Sequence, residues 1–168
     1  EEPPDNVEIT VEKPERTETK TLQLDAAPLP DWDRAAAQAA AAGCYSVAVT
    51  VKDASGQVYF DSAQPAASGA IRTESTTAAA LTAMTASDTY TIARLSCLLD
   101  PIAAKADVEG MGLKNTGGYI FYDGNNLNWL DPSKPAARQY LCGLAKELAE
   151  MGFDEILLTD VSYPTEGK

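Results

Sequence analysis

The chain has 168 residues and a mass of 17.8 kDa, with 13 Lys+Arg against 25 Asp+Glu, a formal net charge of −12 and a pI near 4.3. So acidic a chain repels phosphate polyanions and anionic bilayers, which argues against nucleic acid or a membrane surface as partner. With no histidine it can hold neither a Ser-His-Asp or Cys-His nucleophile nor an imidazole-based zinc site, while 45% hydrophobic residues suffice for one packed core.

Residues 1–20, EEPPDNVEITVEKPERTETK, mix prolines and charges with few apolar positions and predict an extended or disordered leader, with an edge strand at Val7, Ile9 and Val11 as the competing reading. The chain opens on Glu1 rather than Met. This predicts a processed or trimmed chain, with a signal or surface anchor upstream of Glu1 and an extracellular or cell-surface location. From residue 21 to 168 one domain is expected. It starts with a strand at Thr21 to Leu24, followed by a helix from about Trp32 to Ala42, capped by Asp31 and ended by Gly43. CYSVAVTVKD is a buried strand with Val47, Val49 and Val51 on one face, and Ser55-Gly56 turns the chain into a short returning strand. Thr73 to Ala86 is a Ser/Thr/Ala-rich helix. The third strand, DTYTIARLSCLLDP, runs to Asp100-Pro101, where proline opens a short helix through Lys105.

GGYIFYDGNNLNWLDP predicts a hairpin turning at Asp123-Gly124 between aromatic arms. The strongest helix follows Ser133 and Pro135, with Tyr140, Leu141, Leu144, Leu148 and Met151 forming one stripe and Gly152 ending it. The fourth strand is DEILLTDV. Cys44, Cys97 and Cys142 form an odd set without CxxC spacing and predict free thiols, Cys97 and Cys142 buried among apolar neighbours. No apolar run spans a bilayer, no glycine loop has the placement that a nucleotide phosphate requires, and Asp123-Gly124-Asn125-Asn126 lacks the alternation of a calcium loop, so neither cofactor nor metal is expected.

Four strands separated by helices imply an α/β fold with a parallel sheet covered by helices. The order is that of a (β/α)8 barrel. A closed one takes about 250 residues, so only about the first four β/α units are present. Their free edges need covering by a second copy, by the leader, or, the favoured expectation, by a C-terminal half; an oligomer stays open.

Three groups of residues carry a family resemblance: Val51-Lys52-Asp53 with Gly56 and Tyr59 to Ser62; Thr91-Ile92-Ala93-Arg94 with Asp100-Pro101; and Trp129-Leu130-Asp131-Pro132 leading to Gly152-Phe153-Asp154-Glu155-Ile156 and Tyr163-Pro164. In this order and spacing the chain resembles a bacterial glycoside hydrolase family with a TIM-barrel fold, formerly a domain of unknown function. The resemblance covers about residues 21 to 164. It implies exported carbohydrate chemistry at the C-terminal ends of the strands, with a polysaccharide or oligosaccharide as partner.

A glycosidase places two carboxyls across the sugar bond, about 5 Å apart for retention and about 6.5–9.5 Å for inversion. Here the chain departs from the family pattern. Thr159 stands where the family has an aspartate, Ser162 where it has arginine, and Thr50 where an acid often precedes Val51-Lys52-Asp53. Asp160, one residue further along, becomes the candidate catalytic carboxylate provided that the strand end bends, since a one-residue step reverses side-chain direction. Lys52 and Asp53 are candidates to line the cleft, with an ion pair on the turn as the alternative. Arg94 needs an acid or the strand-end opening, with Asp160, Asp131 and Asp53 as candidate partners. Trp129, Tyr122 and Tyr119 could stack on pyranose rings or pack the hairpin, while Asp154 and Glu155 read as structural. The expected function is a glycoside hydrolase-like barrel acting on or recognising extracellular polysaccharide, inactive if this chain stands alone. The alternative is a non-catalytic carbohydrate-binding or cell-surface scaffold module that has shed its acids.

Overall fold

A computed structural model describes residues 18–25, 29 and 31–167. The expected leader thus lies outside the described residues except for its last three positions. Strands and helices alternate: β1 (Thr21–Leu24), α1 (Trp32–Ala41), β2 (Ser46–Lys52), a 3-10 turn at Pro65–Ala67, α2 (Ser75–Thr85), β3 (Tyr90–Ser96), α3 (Pro101–Ala106), α4 (Pro135–Glu150) and β4 (Glu155–Thr159). Every strand pair is parallel and the order is β1-β2-β3-β4. This α/β arrangement is that of the first half of a (β/α)8 barrel.

Local chemistry accounts for the boundaries. At α1, Asp31 Oδ1 accepts from the Arg34 amide at 3.0 Å, an alanine run propagates the helix, and Gly43 leaves it at φ +63. Pro101 and Pro135 open α3 and α4, where a missing amide proton costs nothing, and Asp100 Oδ1 accepts from the Ala103 amide at 2.9 Å. The expected hairpins are looser than the sequence predicts. The segment after Gly56 meets β2 through an isolated antiparallel bridge between Lys52 and Val58, and residues 112–130 are joined by isolated bridges rather than by two regular arms. Side chains compete there for the ladder's donors: Asn115 Oδ1 takes the Gly117 and Tyr119 amides, and Asp123 Oδ1 those of Asn125 and Leu127.

The two faces of the sheet differ. Val47, Val49, Val51, Ala93 and Leu95 pack against Leu81 and Met84 of α2 and Tyr140, Leu144 and Leu148 of α4 in one core. On the other face, register rows run Gln23, Ala48, Ile92, Glu155 and then Thr50, Arg94, Leu157, a surface outside that core. The α4 stripe also corrects one expectation. Cys97 is buried, but Cys142 is exposed, because it lies midway between Tyr140 and Leu144 and so off the sheet-facing side. All three thiols are free.

Truncating Leu144, which is fully buried, to alanine should lower the unfolding free energy by about 2–5 kcal/mol through lost burial and a cavity. Tyr119→Ala, at a side chain 73% exposed, should change it by less than about 0.5 kcal/mol; urea titration of both variants measures the contrast.

Candidate functional site at the strand ends

The site begins with an irregularity in β2. Pairing with β3 is regular from Ser46 opposite Tyr90 to Thr50 opposite Arg94, then shifts so that Lys52 stands opposite Leu95. The extra residue bends the strand end and sends Lys52 inward. Its side chain is fully buried. Nζ donates to the Ser96 carbonyl at 2.7 Å and forms an ion pair with Asp100 Oδ2 at 3.1 Å, Asp100 being equally buried. Asp100 thus serves two elements, since its other oxygen caps α3. A Cβ on Gly56 would stand 2.4 Å from that oxygen, so only glycine, here at φ +85, lets the turn after β2 close over the pair. The buried Tyr140 hydroxyl lies close to the Asp100 carboxylate. Burial first, and then the Asp100 charge, push the Tyr140 phenol far above its ordinary range.

β4 supplies the carboxylate of the rim. Thr159 stands opposite Ser96, and the next residue, Asp160, adopts φ +52, a left-handed conformation that costs a non-glycine residue on the order of 1 kcal/mol. That turn folds the Asp160 side chain back over the strand end. Its Oδ2 accepts from Ser96 Oγ at 2.8 Å and from Thr159 Oγ1 at 3.0 Å, and its carbonyl accepts from the Leu98 amide at 3.0 Å. Alternation would have aimed this carboxylate at the opposite face from Thr159; it lies instead beside the Thr159 hydroxyl. Ser96 therefore joins both groups, its carbonyl to Lys52 and its hydroxyl to Asp160. Burial pushes the adjacent Cys97 thiol up, the Lys52 charge opposing and the Asp160 charge reinforcing, which keeps the sulfur a neutral packing atom.

The other candidates are spent differently. Asp53 is locked in its own turn: Oδ1 accepts from the Ser55 amide and hydroxyl and from the Gln57 amide, while Oδ2 accepts from Tyr59 at 2.8 Å. Asp131 Oδ1 likewise accepts from the Ser133 amide and hydroxyl. Arg94 sits half-buried between Thr50 and Leu157, and among the described residues it makes no ion pair with Asp160, Asp131 or Asp53, whose bonds go elsewhere. Asp154 and Glu155 hold strand starts, through Thr91 and Tyr90.

Trp129 donates its indole N–H to Asp123 Oδ2 at 2.8 Å. Burial opposes ionisation of Asp123, yet the bonds from Leu127, Trp129 and Asn125 hold its carboxyl below the usual range. Trp129 and Asp123 line a cavity of about 380 Å³ together with Tyr163 and Glu166, while Tyr122 is 36% exposed on the same loop. The structure thus links Lys52 and Asp160 through Ser96 and groups Trp129 with Asp123. It ties Asp53 and Asp131 into turns and leaves Arg94 apart from all three acids. Ser96, Asp100 and Tyr163 are the additions; Asp100 and Tyr163 were visible in the sequence as part of the motifs that carry the resemblance, and Asp100 also by its place before a helix-opening proline.

The family described as "Putative glycosyl hydrolase domain" matches residues 31–168. The chain belongs to this family. Its role is accordingly carbohydrate-related. A solved structure of a hypothetical protein from Ruminiclostridium thermocellum ATCC 27405 is similar, with 27% identity and a TM-score of 0.75 over 87% of this chain and 79% of that one. No curated protein matches the chain. Among the described residues no helix is long and apolar enough to cross a membrane.

Two outcomes follow from these contacts. Lys52→Met strands a buried carboxylate and should cost about 3–5 kcal/mol in urea unfolding, whereas the double variant Lys52→Met/Asp100→Asn, which keeps a cap for α3, should recover a large part of that loss. Burial, then the hydrogen bond to Asp53, raise the Tyr59 phenol from 10.0 to about 12. The fold favours its protonated form, so the associated stability is complete below pH 10 and is lost as pH rises toward about 12. NMR titration of labelled tyrosine should show this, and Asp53→Asn should lower the midpoint.

Proposed function

We propose that this domain acts on or recognises extracellular polysaccharide, with Asp160 as its strand-end carboxylate. What carries the reading is the left-handed turn that places Asp160 beside Thr159, the position at which the family pattern has its aspartate. Two hydroxyl donors on Oδ2 orient the group as an acceptor, and Oδ1 takes no hydrogen bond from the described residues. A carboxylate so held can approach an anomeric carbon or a water, the geometry that a nucleophile or base requires. The cavity beside Trp129 and Tyr163 offers aromatic faces for pyranose rings next to polar groups.

One carboxylate is half of a glycosidase. Asp100 is consumed by Lys52, and Asp53 and Asp131 by their turns, which favours a partner acid from the other half of a barrel. Export to the cell exterior rests on the leader's composition. Thr159 and Ser162, in place of an acid and an arginine, favour the second reading, a carbohydrate-binding or surface scaffold module without turnover.

Asp160→Asn tests the assignment, because asparagine tolerates the left-handed conformation and keeps an acceptor. Glycan-array binding should persist within a few-fold while any hydrolysis of aryl glycosides falls by about 100-fold or more. Hydrolysis unchanged in the variant removes Asp160 from the site; binding without hydrolysis in the parent chain supports the scaffold reading.

A further inference from the structure

The segment that follows Asp160 is strapped across the loop of residues 112–130. Asp123 and Gly167 form an antiparallel bridge, and Gly167 sits so close to the Phe121 ring that a β-carbon there would collide with it. Two cavities flank this strap. One is the cavity of about 380 Å³ beside Trp129, Asp123 and Glu166; the other, of about 370 Å³, is lined by Lys114, Asn115, Thr116 and Phe121. Tyr163 and Pro164 line both and so form the partition between them, with Tyr163 more than half exposed. Each cavity lies near the small end of the roughly 300–1,000 Å³ that ligand pockets span, the size for a short piece of a chain.

We propose that the two cavities are consecutive subsites for one neutral oligosaccharide chain, laid across Tyr163 and Pro164. This rests on the carbohydrate reading and adds to it a second subsite and a charge preference. Each cavity has an aromatic ring in its wall, Trp129 in one and Phe121 in the other, the surface on which a pyranose stacks. The second cavity also keeps polar groups to spare. Asn115 Oδ1 is taken up by the Gly117 and Tyr119 amides, but among the described residues its Nδ2 and the Thr116 hydroxyl donate to nothing. Charge narrows the ligand. Asp123 and Glu166 line the first cavity, and Lys114, the one cation among the described lining residues of either, is paired with Glu109. A uronate would meet two carboxylates and no free cation, whereas sugar hydroxyls donate to acids. Tyr163 follows Asp160 by three residues, so the partition lies within about 11 Å of it, and a chain crossing there passes the strand-end carboxylate.

NMR and calorimetric titration of the 168-residue chain with gluco-, xylo-, manno- and chito-oligosaccharides of two to six units tests this. The hexasaccharide that binds should do so one per chain and about 100-fold or more tighter than its disaccharide, because the second subsite is then filled intramolecularly. Asn115→Asp keeps the acceptor for the Gly117 and Tyr119 amides and removes the donor. It should weaken the hexasaccharide about tenfold and leave the disaccharide, followed at the Trp129 indole signal, within about twofold; should it misfold, Thr116→Val gives the same readout. An oligogalacturonate hexamer should bind at least about tenfold more weakly than the neutral one. Two hexasaccharides per chain, an affinity that does not grow with length, or an Asn115→Asp variant that weakens both lengths alike or neither overturns the two subsites, and a galacturonate bound as tightly overturns the charge preference; each leaves the carbohydrate reading standing. A chain that binds none of these sugars at any length defeats that reading and the subsites with it.

Discussion

Lys52 is the residue on which the strand-end geometry depends. An ammonium removed from water costs several kcal/mol, offset only where a countercharge and an acceptor converge on it. Here Asp100 and the Ser96 carbonyl do so, at 3.1 and 2.7 Å. Because Asp100 also caps α3 and lies under Gly56, one buried pair pins together the end of β2, the turn that follows it, the end of β3 and the start of α3. With its carbonyl committed to Lys52, Ser96 still has its hydroxyl to offer across to β4. The positions of these groups are therefore coupled, and a fault at the pair reaches the rim through a single residue.

Asp160 answers a problem that the family pattern poses. A strand residue alternates faces, so an acid moved one place along would normally be lost from the interior. The left-handed backbone at Asp160 reverses that outcome at a local cost, and two hydroxyls and the Leu98 amide hold the strained turn in place. Three hydrogen bonds thus offset the strain of a left-handed residue at the strand end.

Periodicity and punctuation made the elements legible before any coordinate was known. Pro101 and Pro135, the Asp31 cap, the valines of β2 and the α4 stripe each act locally, and the parallel order follows from the long crossovers. The site was less legible because it is built from register. Nothing in Val51-Lys52-Asp53 announces that pairing slips by one residue against Leu95, and that slip is what buries Lys52. The fates of Asp53 and Asp131 were nearer the surface of the sequence: both stand two residues before a serine, the spacing at which an aspartate bonds the following amide and hydroxyl. Cys142 misled because apolar neighbours in sequence point around a helix in several directions, and only three- and four-residue steps share its buried side.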